Sequence, residues 1–247
     1  MHFCLPAFGS VTSLRLTEIV SMGEPDEYNA FRDGLMALPS LNHFEIQLRD
    51  FWLSESHLPI VLPTIKFLHL NVDYCIERFD DFIGSIRVPS LATLSLAVGV
   101  RPDGDDPDLR KDSLEHFPPL QHLIITNLTS VLPHYEPLAC KFSGIERLTY
   151  ISTSGRSYHD PANELRDVDG TFRWPNMRTM AVSIPDGDFD LSWPFWESTI
   201  LRFQDAGHPI RKLMLPQALI SKRAHNVTKL REFVEIEAFH VDWPDPF

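Results

Sequence analysis

The amino-acid sequence predicts a single α/β domain over residues 1–247, built as a solenoid of about nine repeats. A curved parallel sheet is expected on its concave side, and helices or loops on its convex side. Three observations support this fold class. A short apolar frame recurs along the chain, a proline often stands at one offset before it, and the segments between frames have apolar residues at helical spacing.

The recurring frame has the order apolar-x-x-apolar-x-apolar. Its last two apolar residues are two positions apart and therefore point to one face of a strand. One strand cannot bury that face alone, whereas stacked copies form a parallel sheet over a continuous core. The first apolar residues of the nine frames are Val11, Leu41, Ile65, Leu91, Leu120, Ile145, Met177, Ile210 and Leu230.

The spacing of these frames is near-regular. Successive first residues are 20 to 33 positions apart, and leucine-rich repeats have about 20–29 residues each. The ninth frame, Leu230, Phe233 and Glu235, is degraded because its third position is charged. The frames therefore predict an irregular leucine-rich repeat array.

Proline is enriched, with 20 prolines against 11 glycines. Five prolines occupy the same offset, two residues before the first apolar residue of a frame: Pro39, Pro63, Pro89, Pro118 and Pro175. Proline fixes φ and cannot continue a helix. This offset therefore predicts that each proline ends a helix just before a strand.

Three segments between the frames have apolar residues at helical spacing. They include Tyr28, Phe31, Leu35 and Leu38 in the first; Ile76, Phe79, Phe82, Ile83 and Ile86 in the second; and Phe195, Trp196, Ile200, Leu201 and Phe203 in the third. Such stripes are typical of amphipathic helices that pack on a core. We expect them to be core residues and not to line a cofactor site.

Composition excludes several function classes. A net charge of −12 and a pI near 5.3 argue against a nucleic-acid binder. No run of 18 apolar residues is present, so no membrane span is expected. The widely spaced Cys4, Cys75 and Cys140 and the absence of a signal peptide predict a cytoplasmic or nuclear protein with reduced thiols.

Catalytic signatures are absent from the sequence. It has no GxxxxGK, GxGxxG, HExxH, GxSxG or CxxC motif. His43, His69 and His122 occupy related positions in their repeats, but no ligand spacing accompanies them, so they are interpreted as polar surface residues. We therefore predict a protein that is not an enzyme and has no catalytic residue, metal or cofactor.

The frame also predicts which strand residues face outward on the concave side. The candidate binding residues on this face are Arg15, His43, Glu45, Phe67, His69, Asn71, His122, Ile124, Arg147 and Ile151. Phe67, Ile124 and Ile151 are expected to be exposed apolar anchors among small polar residues, an arrangement that suits a protein partner. The alternative is that a neighbouring loop covers this face.

The LP-x-L-x-x-L-x-L frames, their irregular spacing and the closing VDWPDPF sequence resemble the leucine-rich region of fungal F-box proteins. In that family an N-terminal F-box docks an adaptor of a ubiquitin ligase, and the repeats capture the substrate. The resemblance implies a non-enzymatic recognition module with a protein substrate on its concave face. The first frame begins near Phe8, which leaves no room for an F-box upstream, so a ligase adaptor is expected as a partner only if an F-box is supplied elsewhere.

Two alternatives remain at the level of sequence. Alternating strands and helices also occur in doubly wound α/β enzymes, which bind ligands at a turn after a strand. A vestigial or purely structural leucine-rich repeat chain is the other.

Overall fold

Parallel β-strands are the framework of this protein, whose computed structural model describes a large part of the chain. The residues described are 8–19, 25–49, 58–72, 79–97, 117, 119–126, 138–139, 141–151, 165, 173–183, 198, 200–205, 207 and 210–239. The chain divides into two compact units, residues 1–120 and 121–247, and each is considered by itself.

The first unit contains a parallel sheet in the order β1-β2-β4-β6 and a separate parallel pair, β3 with β5. Its elements are β1 (Ser13–Ile19), α1 (Pro25–Met36), β2 (His43–Leu48), β3 (Ile60–Val61), β4 (Phe67–Asn71), α2 (Phe79–Ser85), β5 (Ile86–Arg87) and β6 (Thr93–Ala97).

The second unit contains parallel strands in the order β7-β8-β9-β10-β11. They are β7 (His122–Thr126), β8 (Arg147–Ile151), β9 (Thr179–Ser183), β10 (Lys212–Pro216) and β11 (Glu235–Phe239). The helices Gln217–Lys222 and Ala224–Leu230 lie between β10 and β11, and residues 200–205 are helical.

The register of the strands aligns the apolar frames with one another. In the first unit Leu68 lies opposite both Phe44 and Leu94, and in the second unit Leu148 lies opposite both Leu123 and Met180. All three apolar positions of the second to eighth frames are buried. The predicted strands and core positions of these frames are confirmed, and the fold is mixed α/β with parallel sheets.

The first frame is less buried than the others. Its residues Val11, Leu14 and Leu16 are half-buried. Because β1 ends the strand order, it has a strand neighbour on one side only within the part of the chain that the structure describes.

The ninth frame was placed wrongly by the sequence. Glu235 pairs with Lys212, the first residue of β10, so the aligned frame is Phe233, Ile236 and Ala238. Leu230 instead ends a helix in which Val227 and Leu230 are buried. A spacing of three residues is common to the frame and to a helical face, and this ambiguity caused the error.

Pro39, Pro89 and Pro175 stand at the second position of a hydrogen-bonded β-turn, and Pro118 lies outside the described residues. The Leu91 N–H donates to the Val88 carbonyl at 3.1 Å across Pro89, and the Met177 N–H donates to the Trp174 carbonyl at 3.1 Å across Pro175. Proline is favoured there because its fixed φ suits the turn.

The predicted helix-ending role of these prolines is only partly correct. Pro39 follows α1 closely, but Pro63 and Pro89 follow the short strands β3 and β5. The residue before a proline is biased toward extended backbone, which suits these short strands.

A hydrogen-bond motif recurs between six pairs of successive frames. The Asn42 carbonyl accepts the N–H groups of Lys66 and Phe67 at 2.8 and 3.1 Å, and the Glu146 carbonyl accepts those of Arg178 and Thr179 at 2.8 and 3.1 Å. The carbonyls that accept two N–H groups in this way belong to Thr12, Asn42, Lys66, Gln121, Glu146 and Arg178. Equivalent positions of successive frames therefore have equivalent backbone partners.

The predicted helices agree with the structure in part, because Leu38 lies beyond the end of α1 and Ile86 belongs to strand β5 and not to α2. Tyr28 and Leu35 are the buried residues of α1, and Phe82 and Ile83 are buried in α2. In the third segment, Ile200 and Phe203 are buried, while Leu201 is 37% exposed. Ile76, Phe195 and Trp196 lie outside the described residues.

The helices Gln217–Lys222 and Ala224–Leu230 were not predicted. They are short, with 6 and 7 residues, and a helical period is hard to recognise over fewer than three turns. No helix in the described ranges is long and apolar enough to cross a membrane.

Candidate binding face

Strand residues that alternate with the apolar frame positions form rows across the strands. We call these the outward rows. In the first unit they are Ser13, His43, Phe67 and Thr93; then Arg15, Glu45, His69 and Ser95; then Gln47, Asn71 and Ala97. In the second unit they include His122, Arg147, Thr179, Lys212 and Glu235; Ile124, Thr149, Ala181, Met214 and Glu237; and Thr126 and Ile151. The register thus places all ten candidate residues in these rows.

A buried carboxylate, Glu45, is the electrostatic centre of the rows in the first unit. One of its oxygens accepts a hydrogen bond from Arg15 Nε, and the other lies 2.8 Å from His43 Nε2. Burial by itself raises the pKa of Glu45, but the hydrogen bonds from Arg15 and His43 outweigh it, so the pKa is lowered. Glu45 is therefore held as a carboxylate at neutral pH.

The imidazole of His43 is stacked on the ring of Phe67. Their centroids are 4.4 Å apart and their planes differ by 14°. Both residues are buried, at 4% and 8% exposure. The expectation that Phe67 is an exposed anchor is wrong, and His43 is not a surface residue, because the strand period shows the side of the sheet but not whether that side is covered.

His69 occupies the row position next to Glu45. Burial lowers its pKa to about 4, although the charge of Glu45 acts to raise it, and Arg15 and His43 lower it further. His69 is therefore neutral at pH 7, and its Nδ1 is hydrogen-bonded to Ser95 Oγ at 3.1 Å. Asn71, two residues on, remains half-buried.

The second unit has a similar histidine–hydroxyl pair. His122 Nε2 and Thr149 Oγ1 are 2.8 Å apart. Thr149 and Ser95 have no exposed surface, so neither hydroxyl can meet a substrate from solution in this conformation. These pairs satisfy buried polar groups, which would otherwise destabilise the core.

The two isoleucine candidates differ in exposure. Ile124 is fully buried, so the expectation that it is an exposed anchor is wrong. Its row neighbour Thr149 is also fully buried, which shows that the middle row is shielded at this point. Ile151 is half-buried at the end of β8.

Two glutamates that sequence reasoning missed lie at the last strand. Lys212 Nζ is 2.8 Å from Glu237 Oε1 and 3.8 Å from Glu235 Oε1. The hydrogen bond with Glu237 raises the pKa of Lys212 and lowers that of Glu237. The alternation Glu235-Ile236-Glu237 is a strand pattern, but it was hidden by the misplaced ninth frame.

The corrected frame changes the charge expected on the outward rows. The cations Arg15, Arg147 and Lys212 are matched by the anions Glu45, Glu235 and Glu237. Within the ranges that the structure describes, no group of three or more histidine, cysteine, aspartate or glutamate side chains could hold a metal ion. The rows therefore offer mixed polar contacts and no strong field of one sign.

Comparison with known proteins gives little further information. No protein-family profile and no curated protein matches the sequence. The structure is similar to a crystal structure of a protein from Bacteroides fragilis, a structural-genomics target, with 14% identity and a TM-score of 0.42 over 95% of this chain and 68% of that one. No function follows from a likeness at this level.

Proposed function

We propose that this protein is a non-enzymatic protein-recognition module that binds a protein partner through its outward rows. The observation that carries the proposal is the register, which brings polar and apolar candidates from successive strands into adjacent rows. Such a surface, with a few apolar residues among polar ones, suits protein recognition. Its context is that of the substrate-capture region of an F-box ubiquitin-ligase receptor, in the cytoplasm or nucleus.

The hydrogen-bond motif supports a leucine-rich repeat solenoid as the scaffold. Six frames have the same doubly accepting carbonyl, and the second to eighth frames have the same buried triplet, so these repeats contact their neighbours in an equivalent way. Small-angle X-ray scattering tests this architecture. An elongated particle is the expected result, and a compact sphere contradicts it.

The order of the strands favours a binding module over a doubly wound enzyme. Doubly wound enzymes bind ligands where the strand order reverses. Within each unit the order follows the sequence without a reversal. The buried hydroxyls of Ser95 and Thr149 likewise argue against a serine or threonine nucleophile beside a histidine.

Burial divides the candidate residues into two groups. Those with accessible surface are proposed to contact the partner: Arg15, His69, Asn71, His122, Arg147 and Ile151. Those that are buried are proposed to hold the face in shape: His43, Glu45, Phe67 and Ile124.

Affinity capture with matched variants tests the binding face. The double variant Arg147→Ala/Ile151→Ala alters the rows, and Lys229→Ala/Ile220→Ala likewise removes one cation and one isoleucine, but on the helices between β10 and β11. We expect the first variant to lower the affinity for a partner that binds saturably about tenfold or more, which is the loss typical of a binding hot spot. The control variant is expected to retain wild-type affinity. Equal capture by both variants, with both folded by circular dichroism, contradicts the proposal.

The ligase context has a separate test. Sequencing transcripts upstream of Met1 shows whether an in-frame F-box precedes the repeats. If one does, co-purification of a ligase adaptor with the longer product is expected. If none does, adaptor binding is not expected, and the recognition role stands alone.

A further inference from the structure

The two end strands of the sheet order, β1 and β11, have complementary backbone edges. In parallel pairing, alternate residues direct N–H and C=O to one side. The His43 N–H donates to the Thr12 carbonyl, so Ser13 and Arg15 direct their backbone groups away from β2. At this edge β1 has no strand partner among the described residues.

The edge of β11 follows the same rule. The Glu235 N–H donates to the Arg211 carbonyl, so Val234, Ile236 and Ala238 direct their backbone groups away from β10. In six other pairs of neighbouring strands, the carbonyl at the position of Val234 accepts two N–H groups from the next frame. The Val234 carbonyl is therefore placed to accept an N–H from a further strand. The first residue of β1, Ser13, directs its backbone N–H outward and can supply such a donor.

We propose that the β11 edge of one molecule binds the β1 edge of a second copy of this chain, so that the parallel sheet continues from one molecule to the next. Continuing the internal register places Glu235 opposite Ser13 of the second copy and Glu237 opposite its Arg15. The second copy is favoured over an unrelated strand because its frame has the required order of apolar and polar residues.

The charges at the two edges alternate in this arrangement. Within one molecule, Lys212 pairs with Glu237, and Arg15 pairs with Glu45, each across neighbouring strands. In the joined sheet Glu237 lies in one row with Arg15 and Glu45, and Lys212 reaches Glu237 from the adjacent row, so opposite charges are neighbours from Lys212 to Glu45. Cross-strand pairs of opposite charge stabilise a sheet.

An exposed phenylalanine lies at each edge, and the two occupy different positions of the repeat. Phe8 begins the turn before β1, and Phe233 is the first apolar residue of the ninth frame. They are 46% and 48% exposed, whereas the corresponding Val88 and Leu91 of an internal repeat have no exposed surface. Stacking a second copy on β11 brings Phe233 beside Val11 and Phe8 of that copy.

The geometry also limits the contact. The pairing of β1 with β2 shifts between Leu16 and Ile19, and Glu18 has a φ of 57°. A bulge of this kind blunts an edge strand, so the pairing is confined to the first residues of β1. Two different edges meet, so the contact is heterologous and permits chains of more than two molecules.

Sedimentation velocity on the purified full chain tests the proposal. The mean sedimentation coefficient of the wild type is expected to rise over roughly a hundredfold range of concentration, because association follows mass action. Ser13→Pro and Ala238→Pro each remove an N–H that points out from an edge and not toward the neighbouring strand. Each variant alone is expected to remain monomeric.

A mixture of the two variants gives the decisive result. Ser13→Pro keeps an intact β11 edge and Ala238→Pro keeps an intact β1 edge, so the mixture is expected to form a one-to-one dimer and nothing larger. Phe233→Ser is expected to weaken wild-type association about tenfold, while Leu58→Ser, at a residue that is 64% exposed and belongs to neither edge, leaves it unchanged.

Three outcomes overturn the proposal. They are a wild type that stays monomeric at every concentration, association that persists in either proline variant, and a mixture that does not dimerise although both variants keep wild-type circular dichroism and melting curves. None of them bears on capture of a partner by the outward rows, so failure here is distinguishable from failure of the proposed function.

Discussion

Glu45 and Glu18 each accept a hydrogen bond from an arginine across β1 and β2, but in opposite surroundings. The side chain of Glu45 is 5% exposed, and that of Glu18 is 58% exposed in its pair with Arg49. Burial makes a charged hydrogen bond costly to lose, whereas solvent replaces an exposed one.

Glu45→Gln is therefore expected to lower the free energy of unfolding by about 1.5–3 kcal/mol, the usual contribution of hydrogen bonds to charged groups. Glu18→Gln, the matched control, is expected to lower it by less than about 1 kcal/mol. Urea unfolding at pH 7 measures both. Similar losses for the two variants would show that Glu45 is not held by Arg15 and His43 as described.

His69 is expected to make stability depend on pH. Its pKa is about 4 in the folded chain and 6.5 when unperturbed. As pH falls below 6.5, the unfolded chain gains a proton that the folded chain does not, so the stability is complete above pH 6.5 and is lost toward pH 4. The total loss is on the order of 3 kcal/mol, at 1.36 kcal/mol per unit of pKa.

His69→Gln removes the imidazole that titrates. The free energy of unfolding of the variant should therefore depend less on pH between pH 6.5 and 5 than that of the wild type. Glu45 also has a lowered pKa, but its contribution is lost only below its ordinary value of 4.5, so it does not obscure that window. Urea unfolding of wild type and variant at several pH values gives the difference. If the difference in free energy of unfolding between wild type and variant is the same at pH 6.5 and pH 5, the lowered pKa of His69 is contradicted.

At the scale of elements, the turn before each strand is the most regular feature. The turn from Phe142 to Ile145 has the same hydrogen bond as the proline-containing turns, but Ser143 stands where they have proline. Proline in a compatible turn stabilises a protein chiefly by restricting its unfolded chain.

Ser143→Pro is accordingly expected to raise the free energy of unfolding by about 0.4–1 kcal/mol, and Pro89→Ala to lower it by a similar amount. Thermal and urea denaturation of both variants test the pair. A loss of stability in Ser143→Pro shows that this turn differs in backbone conformation from the others.

At the scale of the whole molecule, the proposed stacking of repeats is expected to restrict energetic coupling to neighbouring strands. Leu148 is paired with Met180 of the next strand, while Ile236 lies on β11, with β9 and β10 between. Strands are about 4.8 Å apart, so Leu148 and Ile236 are roughly 14 Å apart.

Double-mutant cycles of alanine substitutions test this locality. Leu148→Ala with Met180→Ala is expected to show a coupling energy of about 0.5–3 kcal/mol, while Leu148→Ala with Ile236→Ala is expected to be additive within about 0.5 kcal/mol. Strong coupling of the distant pair would argue for one cooperative core and against nearest-neighbour repeats.

The sequence alone predicted the strands of the first eight frames, the buried triplets of the second to eighth frames and the side of the sheet on which each candidate lies, because all three depend on a local period of two residues. That period also gave the wrong ninth frame, since Leu230 and Phe233 suit a helical spacing equally well. Pairing with β10 resolved the ambiguity and revealed Glu235 and Glu237 as partners of Lys212.

Only the tertiary structure decided which outward residues are accessible. Phe67 and Ile124 have the strand pattern of exposed anchors, yet both are buried, and Glu45 is a buried carboxylate held by two partners. Exposure depends on what covers a side chain, and that covering comes from residues distant in sequence. A local pattern therefore predicts the direction of a side chain, whereas packing determines whether it meets solvent.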